Sequence, residues 1–296
     1  MTLGGIEAGG TKFVCLVGSA TGEVLQREQF PTTTPDETVA RAIAFFETVV
    51  RSGTQLDAIG IASFGPVELR SDDPNFGSIV STPKPGWSFT DLVGPVQAAF
   101  DVPVAIDTDV NGAAVAEGRW GAARGLEHFV YFTIGTGIGG GAIVAGRPIH
   151  GLVHTEMGHL AIPRQPDDAF AGVCPFHGDC FEGLASGSAI ASRWGVRAED
   201  MDAATWIRAV DLEARYIAAG VRNVVYALAP QRIIIGGGVS SLPELFPGIR
   251  SHLAATLGDY PGLPEHTRDD FVVPPGLGPL AGPLGAIALA ADVAGR

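Results

Sequence analysis

Two of the three cysteines in this 296-residue chain lie in one seven-residue stretch, CPFHGDC. Cys174, His177 and Cys180 are separated by two residues each, which is close enough for their side chains to bind one metal ion. His154 and His159, in the preceding segment HTEMGH, are both candidates for a fourth ligand. Four protein ligands would fill the tetrahedral shell of zinc and leave no position open for water. The spacing therefore indicates a structural zinc site rather than a catalytic one.

Paired carboxylates supply the residue types needed for acid–base chemistry. The segment AIDTDVNG contains Asp107 and Asp109 between a predicted strand and a predicted helix. A carboxylate at this position can accept a proton from a substrate hydroxyl. Aspartate also caps helices well, so either residue could be the cap of the helix that follows. Cys15, in contrast, lies in an apolar strand and is interpreted as a small buried hydrophobic residue.

Three glycine-rich turns follow predicted strands: EAGGTK at 7–12, IGTGIGGG at 134–141, and IIGGGVS at 234–240. Glycine lets backbone N–H groups converge on a phosphate, so such turns can bind a nucleotide. Each turn by itself could equally be a hairpin or a strand-to-helix connection. Neither a P-loop ending in GKS or GKT nor a GxGxxG before a helix is present, which excludes the common mononucleotide and dinucleotide motifs.

The composition disfavours nucleic-acid-binding and membrane-spanning proteins. Nineteen basic and thirty-two acidic residues give a net charge of -13, which disfavours a nucleic-acid partner. No apolar run reaches the ~18 residues that span a bilayer, and the start of the chain does not resemble a signal peptide. We therefore expect a cytoplasmic protein without a membrane partner. Thiols stay reduced in the cytoplasm, which favours metal binding over a disulfide between Cys174 and Cys180.

The order of predicted elements indicates two α/β lobes, each beginning with a hairpin bent around glycines. In the first lobe we predict strands at Phe13–Val17, Glu23–Phe30, Leu56–Ala62 and Val102–Ile106, and helices at Asp36–Arg51 and Asn111–Trp120. In the second we predict strands at Phe129–Ile134, Gly141–Val144 and Arg232–Ile235, a helix at Trp206–Leu228, loops around a strand at Asp270–Val273, and a closing helix at Pro283–Ala294. The expected boundaries are 1–118 for the first lobe, 119–282 for the second, and 283–296 for the closing segment.

Five motifs in order, GGIEAGGTKF, DTDVNGAAVAEGRWG, TIGTGIGGG, HTEMGH and CPFHGDCFEG, resemble the ROK family of sugar kinases, and most closely its bacterial fructokinase and mannokinase members. The resemblance covers nearly the whole chain. It implies an actin-like, hexokinase-type fold, with a duplicated ribonuclease H-like core, an active-site cleft between the lobes and a closing helix that packs on the first lobe. It also implies an ATP-dependent hexose kinase, with fructose as the favoured substrate and mannose, glucose and N-acetylmannosamine as alternatives.

The resemblance assigns roles to individual residues. Asp109 is expected to be the general base, and His159 rather than His154 the fourth zinc ligand beside Cys174, His177 and Cys180. Glu7, where many members have Asp, is expected to hold Mg²⁺ through water. The expected nucleotide-binding residues are Gly9, Gly10, Thr11, Lys12, Thr133, Gly135, Thr136, Gly137, Gly187, Gly236, Gly237 and Gly238. The expected sugar-binding residues are Gly65, Pro66, Thr108, Asp109, Glu156, His159 and Glu182.

Two further expectations come from the same resemblance. Zinc would tie the loop that carries Glu156 to the loop that carries Glu182, and the protein would form a homodimer. Trp87 is interpreted either as part of the sugar pocket or as plain core. A sugar-sensing transcriptional repressor shares the fold, but it carries a DNA-binding helix-turn-helix before the sugar domain. Here the first strand begins within a few residues of Met1 and the charge is acidic, which favours the kinase.

Overall fold

The computed structural model describes residues 1–196, 200–238, 241–242 and 244–295. Two compact units are present: residues 1–125, 147–155 and 280–296 form the first, and residues 126–146 and 156–279 form the second. The elements in chain order are β1 (Thr2–Ala8), β2 (Lys12–Ser19), β3 (Val24–Pro31), α1 (Pro35–Arg51), β4 (Ala58–Ser63), α2 (Val93–Ala99), β5 (Val104–Thr108), α3 (Asp109–Trp120), β6 (Phe129–Ile134), β7 (Ile138–Val144), β8 (Arg147–Pro148), α4 (Phe181–Ala185), α5 (Gly187–Trp194), α6 (Ala203–Leu228), β9 (Arg232–Gly236), α7 (Leu245–Leu257), β10 (Val272–Val273) and α8 (Ala281–Ala294).

The first unit is built on a five-stranded sheet of order β3-β2-β1-β4-β5. Strands β1, β2 and β3 are antiparallel, whereas β1, β4 and β5 are parallel. In the parallel part, Ala8 is paired with Ser63, and Ser63 with Thr108. The carboxyl ends of these three strands therefore lie at one edge of the sheet, where ligands bind in open α/β sheets.

Helix α8 packs against β1, β4 and α3 of the first unit, as the closing helix of the resemblance implies. The helix lies so close to the sheet that a Cβ atom on Gly60 of β4 would overlap the carbonyl oxygen of Ala286. Arg119 of α3 donates a hydrogen bond to the carbonyl oxygen of Ala288 at 3.2 Å and forms an ion pair with Asp292. The closing segment of the chain is thereby fixed to the helix that begins at Asp109.

Trp87 belongs to the core of the first unit. Its side chain is fully buried and contacts the rings of Phe13 and Phe64, and its indole N–H donates to the carbonyl oxygen of Thr33 at 2.9 Å. The core interpretation of this residue is therefore confirmed. Cys15 is also fully buried, and burial raises the pKa of its thiol well above the ordinary value.

The second unit contains another mixed sheet, whose strands follow the order β10-β9-β6-β7 inside this unit. Strands β6 and β7 form an antiparallel hairpin, and β9 runs parallel to β6 with Gly236 opposite Thr133. The long helix α6 packs on α7 and α4. Asp202 caps α6 by accepting hydrogen bonds from the amides of Ala204 and Thr205, each at 2.9 Å.

Several predicted element boundaries were wrong. Strand β7 begins at Ile138 rather than Gly141, because the glycines after Ile138 pair with β6 instead of forming the turn. Helix α3 begins at Asp109, two residues before the prediction, and α2, α4, α5 and α7 were not predicted. Helices α2, α4 and α5 have at most eight residues and lack a long apolar period, so tertiary packing decides them, whereas α7 has a helical apolar period at Leu245, Ile249, Leu253 and Leu257 that the prediction missed. No helix within the described ranges combines the length and apolar character that crossing a bilayer requires.

Candidate active site and zinc-binding cluster

The four predicted zinc ligands lie together in the second unit. The Sγ atom of Cys174 is 3.7 Å from Nδ1 of both His159 and His177, and Sγ of Cys180 is 3.6 Å from Nδ1 of His159. Their ligand atoms all lie within 4.8 Å of one another. Zinc with bonds of ~2.3 Å to sulfur and ~2.0–2.1 Å to nitrogen at tetrahedral angles separates S from N by about 3.6 Å. The cluster therefore has the spacing and the ligand types that fit a closed zinc site.

The local backbone explains why these side chains converge. Cys174 and Gly178 form a tight turn through reciprocal hydrogen bonds of 3.2 Å and 2.9 Å, with Gly178 in the left-handed region at φ 69°. The amide of Phe181 donates to the carbonyl of Leu160 at 2.9 Å and brings the Cys180 and His159 segments together. Without a metal, burial raises the pKa of Cys180 to about 11. A bound zinc ion would hold the sulfur as thiolate.

His154, the competing candidate for the fourth zinc ligand, is used elsewhere. It lies in the first unit, where its Nε2 accepts a hydrogen bond from the amide of Val67 at 3.1 Å. The ligand group found among the described residues contains His159 instead. The structure thus places His159, and not His154, beside the three other candidate ligands.

Glu182 follows the cluster on α4 and contacts the turn between β6 and β7. Its Oε2 accepts a hydrogen bond from the amide of Ile138 at 2.9 Å. A Cβ atom on Gly137 would lie 2.5 Å from the same oxygen, so glycine is required for this approach. The helix that carries Glu182 is thereby joined to the predicted second phosphate turn, which contains Thr133, Gly135, Thr136 and Gly137.

The start of α5 lies against the same turn. The amide of Gly187 donates to the carbonyl of Gly135 at 2.7 Å, and Ser188 Oγ donates to the carbonyl of Thr136 at 2.7 Å. Because Gly236 is paired with Thr133, the predicted adenosine residues Gly236, Gly237 and Gly238 follow β9 at the same sheet edge. Gly237 has φ 86°, a conformation that favours glycine. Val239 and Ser240 of that motif lie outside the described residues.

In the first unit, the junction between β5 and α3 contains both predicted carboxylates. Thr108 is the helix cap, since its Oγ1 accepts from the amide of Asn111 at 3.2 Å. The alternative that Asp107 or Asp109 serves as the cap of this helix is therefore excluded. Asp107 is buried and accepts hydrogen bonds from the Thr108 amide at 2.7 Å and from Asn111 Nδ2 at 2.8 Å. Asp109 is only partly buried, and its Oδ1 accepts from the amide of Val110 at 2.8 Å.

Glu7 lies near the end of β1, close to Asp109 and to the start of α8. Burial, together with the negative charge of Asp109, raises the pKa of Glu7 to about 7, while Lys12 and Arg27 act in the opposite direction. The Glu7 carboxylate approaches Gly282 so closely that a Cβ there would overlap Oε1. Two carboxylates with different environments thus share one edge of the sheet.

The predicted first phosphate turn connects β1 to β2. The amide of Gly9 donates to the carbonyl of Lys12 at 3.1 Å, and Thr32 Oγ1 donates to the carbonyl of Gly9 at 2.7 Å. Thr11 and Lys12 are exposed, and open space surrounds the Cα of Gly10. Gly65 and Pro66, joined by a cis peptide bond, follow β4 at the same sheet edge. The sheet register thus brings the turn, this dipeptide and Asp109 to one edge.

The predicted sugar-binding residue Glu156 lies in the second unit. It is exposed and directly precedes a short 3-10 turn, Met157–His159. The predicted loop is found at Glu156, whereas His159 lies in this turn, which packs on β7. Within this unit the structure brings together Glu182, the second phosphate turn and Gly187, and the zinc cluster connects the segments of Glu156 and Glu182.

Sequence reasoning missed His150. Its Nε2 lies 2.9 Å from Oδ2 of Asp107 and 3.4 Å from Nδ2 of Asn111. The hydrogen bond to Asp107 raises the pKa of His150. A lone histidine in the segment GRPIHGLVH carries no spacing signal, so only the fold shows that it faces a buried aspartate more than forty residues away in the chain.

Comparisons with known proteins identify the family and the fold. The sequence model of the ROK family matches residues 3–293. A fructokinase of Zymomonas mobilis is 44% identical over 289 residues, which covers 97% of this chain and 95% of the relative. The crystal structure of a ROK hexokinase from Thermus thermophilus superposes with a TM-score of 0.81 at 27% identity and covers 100% of both chains. A ROK family glucokinase from Streptomyces griseus, in complex with glucose and AMPPNP, superposes with a TM-score of 0.76 at 26% identity, covering 99% of this chain and 100% of that one.

Proposed function

The chain belongs to the ROK family, and we propose that it is an ATP-dependent fructokinase that transfers the γ-phosphoryl group of ATP to the 6-hydroxyl of D-fructose. The observation that carries this proposal is the 44% identity to a fructokinase over nearly the full length of both chains. The kinase assignment is also supported by the structural neighbour that binds glucose and an ATP analogue.

Asp109 is the proposed general base. In phosphoryl transfer the attacking hydroxyl must lose its proton, and a single carboxylate within hydrogen-bond reach is sufficient. The position of Asp109 supports this role, because it is the first residue of α3 and is only partly buried, whereas Asp107 is buried and bonded to Asn111. The neighbouring Glu7 would hold Mg²⁺ through water, and the ion would neutralise charge on the transferring phosphoryl group.

The remaining assignments follow the chemistry of each segment. The backbone donors of Gly9–Lys12 and Thr133–Gly137 would bind phosphates, with Gly187 at the start of α5 beside the second turn. Gly236–Gly238 would line the adenosine pocket. The sugar hydroxyls would be bound by Gly65, Pro66, Thr108, Asp109, Glu156, His159 and Glu182. Zinc would not act on the substrate; it would hold the segments of Glu156 and Glu182 in position.

The substitution Asp109→Asn tests the base. General-base removal typically costs on the order of 10²–10⁴ in rate, so kcat should fall by that factor while a non-hydrolysable ATP analogue still binds in calorimetry. Asp101→Asn is the matched control, because Asp101 is an exposed aspartate of the same unit. A kcat of Asp109→Asn within a few-fold of the wild-type value would show that another group accepts the proton.

A kinase for another hexose is the second candidate, because mannose, glucose and N-acetylmannosamine differ from fructose only in groups that hydrogen bonds must distinguish. This chain has Thr108 at a predicted sugar-binding position where many members of the family have asparagine. The choice among the hexoses is therefore left to experiment. An ADP-release assay over these sugars decides it: the highest kcat/KM on fructose supports the proposal, and a higher value on another hexose replaces the substrate. Assembly as a homodimer stays a prediction.

A further inference from the structure

Residues 150–154 form a short loop, hereafter the histidine loop, that is attached at both ends through histidine side chains. His150 and His154 form an isolated β-bridge with each other. His150 Nε2 contacts Asp107 Oδ2 at 2.9 Å, and His154 Nε2 accepts from the Val67 amide at 3.1 Å. Two residues far apart in the chain, Asp107 and Val67, are thus held by one loop within the first unit.

Both attachment points adjoin residues assigned to the sugar site. Asp107 is two residues before Asp109 and binds the amide of Thr108. Val67 directly follows Pro66, and a Cβ on Gly65 would lie 3.3 Å from the His154 ring. A displacement of the histidine loop would therefore move the two segments that follow β4 and β5.

Apolar packing contributes little to the position of the loop tip. The side chains of Leu152 and Val153 are exposed, at 80% and 66%, and the Gly151 amide donates a hydrogen bond across the tip to the carbonyl of Val153 at 3.1 Å. His154 in contrast is buried, and Asp107 is buried with His150 as the partner of its Oδ2. The two histidine contacts thus provide the directional attachments of this loop.

We propose that the histidine loop positions the sugar-binding residues, with His150 acting through Asp107 on Thr108 and Asp109, and His154 acting through Val67 on Gly65 and Pro66. The inference rests on the proposed function and concerns the same site. His150 is a positioning residue, because its structural contacts are with Asp107 and Asn111 rather than with the reacting groups. Small displacements of substrate-positioning groups can cost on the order of 10²-fold in rate.

The first experiment compares His150→Ala, His150→Gln and wild type in steady-state assays in which fructose and ATP are varied separately. We expect His150→Ala to raise the KM for fructose about tenfold or more while the KM for ATP changes less than about threefold. Glutamine keeps an N–H donor and should recover part of the loss. His252→Ala is the matched control, because it removes another histidine–aspartate contact, to Asp211 at 3.0 Å, on α7 and α6 of the second unit.

The second experiment measures hydrogen exchange of the Val67 amide in the protein without substrates. His150 does not bind this amide, so faster exchange in His150→Ala than in wild type or His252→Ala would show that the loop transmits the loss of one attachment to the other. This measurement does not depend on activity. Asp107→Asn should have the same effect as His150→Ala, and the double variant should add little to either, because the residues act as one pair.

The outcomes separate this inference from the proposed function. If the wild type phosphorylates fructose and the KM of His150→Ala for fructose lies within twofold of the wild-type value, the positioning role is overturned. The proposed function is then left intact. Wild type that phosphorylates no hexose overturns the function. In that case the exchange measurement decides on the loop: faster Val67 exchange in His150→Ala supports the attachment, and unchanged exchange overturns it.

Discussion

The substitution Glu7→Gln should stabilise the protein strongly at pH 8 but by less than about 1 kcal/mol at pH 5. Glu7 has an ordinary pKa of 4.5, and burial beside Asp109 raises it to about 7 in the folded protein. As pH rises from 4.5 to about 7, the unfolded chain ionises Glu7 while the folded protein keeps the proton. Stability is therefore lost across this window, because the unfolded state binds fewer protons than the native state. Glutamine carries no charge at either pH and does not incur this loss.

The size of the effect follows from the pKa. A change from 4.5 to about 7 corresponds to about 3 kcal/mol of free energy of unfolding. This value is an upper bound, because the amide must still find hydrogen-bond partners beside Gly282. For domains of this size about 3 kcal/mol raises Tm by about 6–12 °C. The stabilised variant should nevertheless lose kinase activity, since the buried charge would serve the metal ion rather than the fold.

Scanning calorimetry at pH 5 and pH 8, without added Mg²⁺ or nucleotide, measures the difference in Tm between Glu7→Gln and wild type. Comparing the two proteins at each pH cancels the titration of all other groups. Glu47→Gln is the control, because Glu47 is an exposed glutamate on α1 paired with Arg51 at 3.3 Å. If Glu7→Gln melts at or below the wild-type temperature at pH 8 while the two agree at pH 5, the reasoning from burial is refuted.

Two further predictions concern the second unit. Cys174→Ser should lower bound zinc from about one ion per chain to near zero by atomic absorption. Free zinc at a thousandfold excess over Kd should stabilise the wild type by about 4 kcal/mol, which raises Tm by about 8–16 °C. Cys174→Ser should remove this gain in Tm. Cys15→Ala is the control, and equal zinc content in both variants would contradict the assignment. Gly137→Ala should displace the Glu182 carboxylate and raise the KM of a substrate several-fold. Tm should change little, because the flexible Glu182 side chain can move away from the new methyl group. Unchanged kinetics would show that the approach of Glu182 to this turn is dispensable.

The zinc cluster shows which of its ligands can be identified from spacing in the sequence alone. Cys174, His177 and Cys180 are so close in sequence that any compact turn brings them together. The choice between His154 and His159 could not be made from the residues, since both lie in one six-residue motif. Folding separates them: His159 contacts the thiols of the second unit, whereas His154 belongs to the first unit and accepts a hydrogen bond from the Val67 amide of that same unit.

Strands and long helices were predicted better than the elements between them. Buried strands such as Ala58–Ser63 and the long amphipathic helix α6 carry strong apolar periodicity. The glycines of β7 were predicted to form a turn, because a glycine-rich segment has no side-chain pattern. In the structure their pairing with β6 makes them part of a strand. The cap of α3 could not be chosen from the sequence, because aspartate and threonine are both good caps, and the structure shows that the Thr108 side chain accepts the hydrogen bond.

The sequence by itself determined the family, through five ordered motifs, and with it the candidate base, phosphate turns and zinc ligands. Local chemistry suffices for these, because each motif keeps its residues within a few positions of one another. Only the tertiary structure decided that Ala8, Ser63 and Thr108 stand in one row, that burial and Asp109 change the pKa of Glu7, and that His150 faces Asp107. These relations depend on strand register and on burial between segments distant in the chain, and no local pattern encodes them.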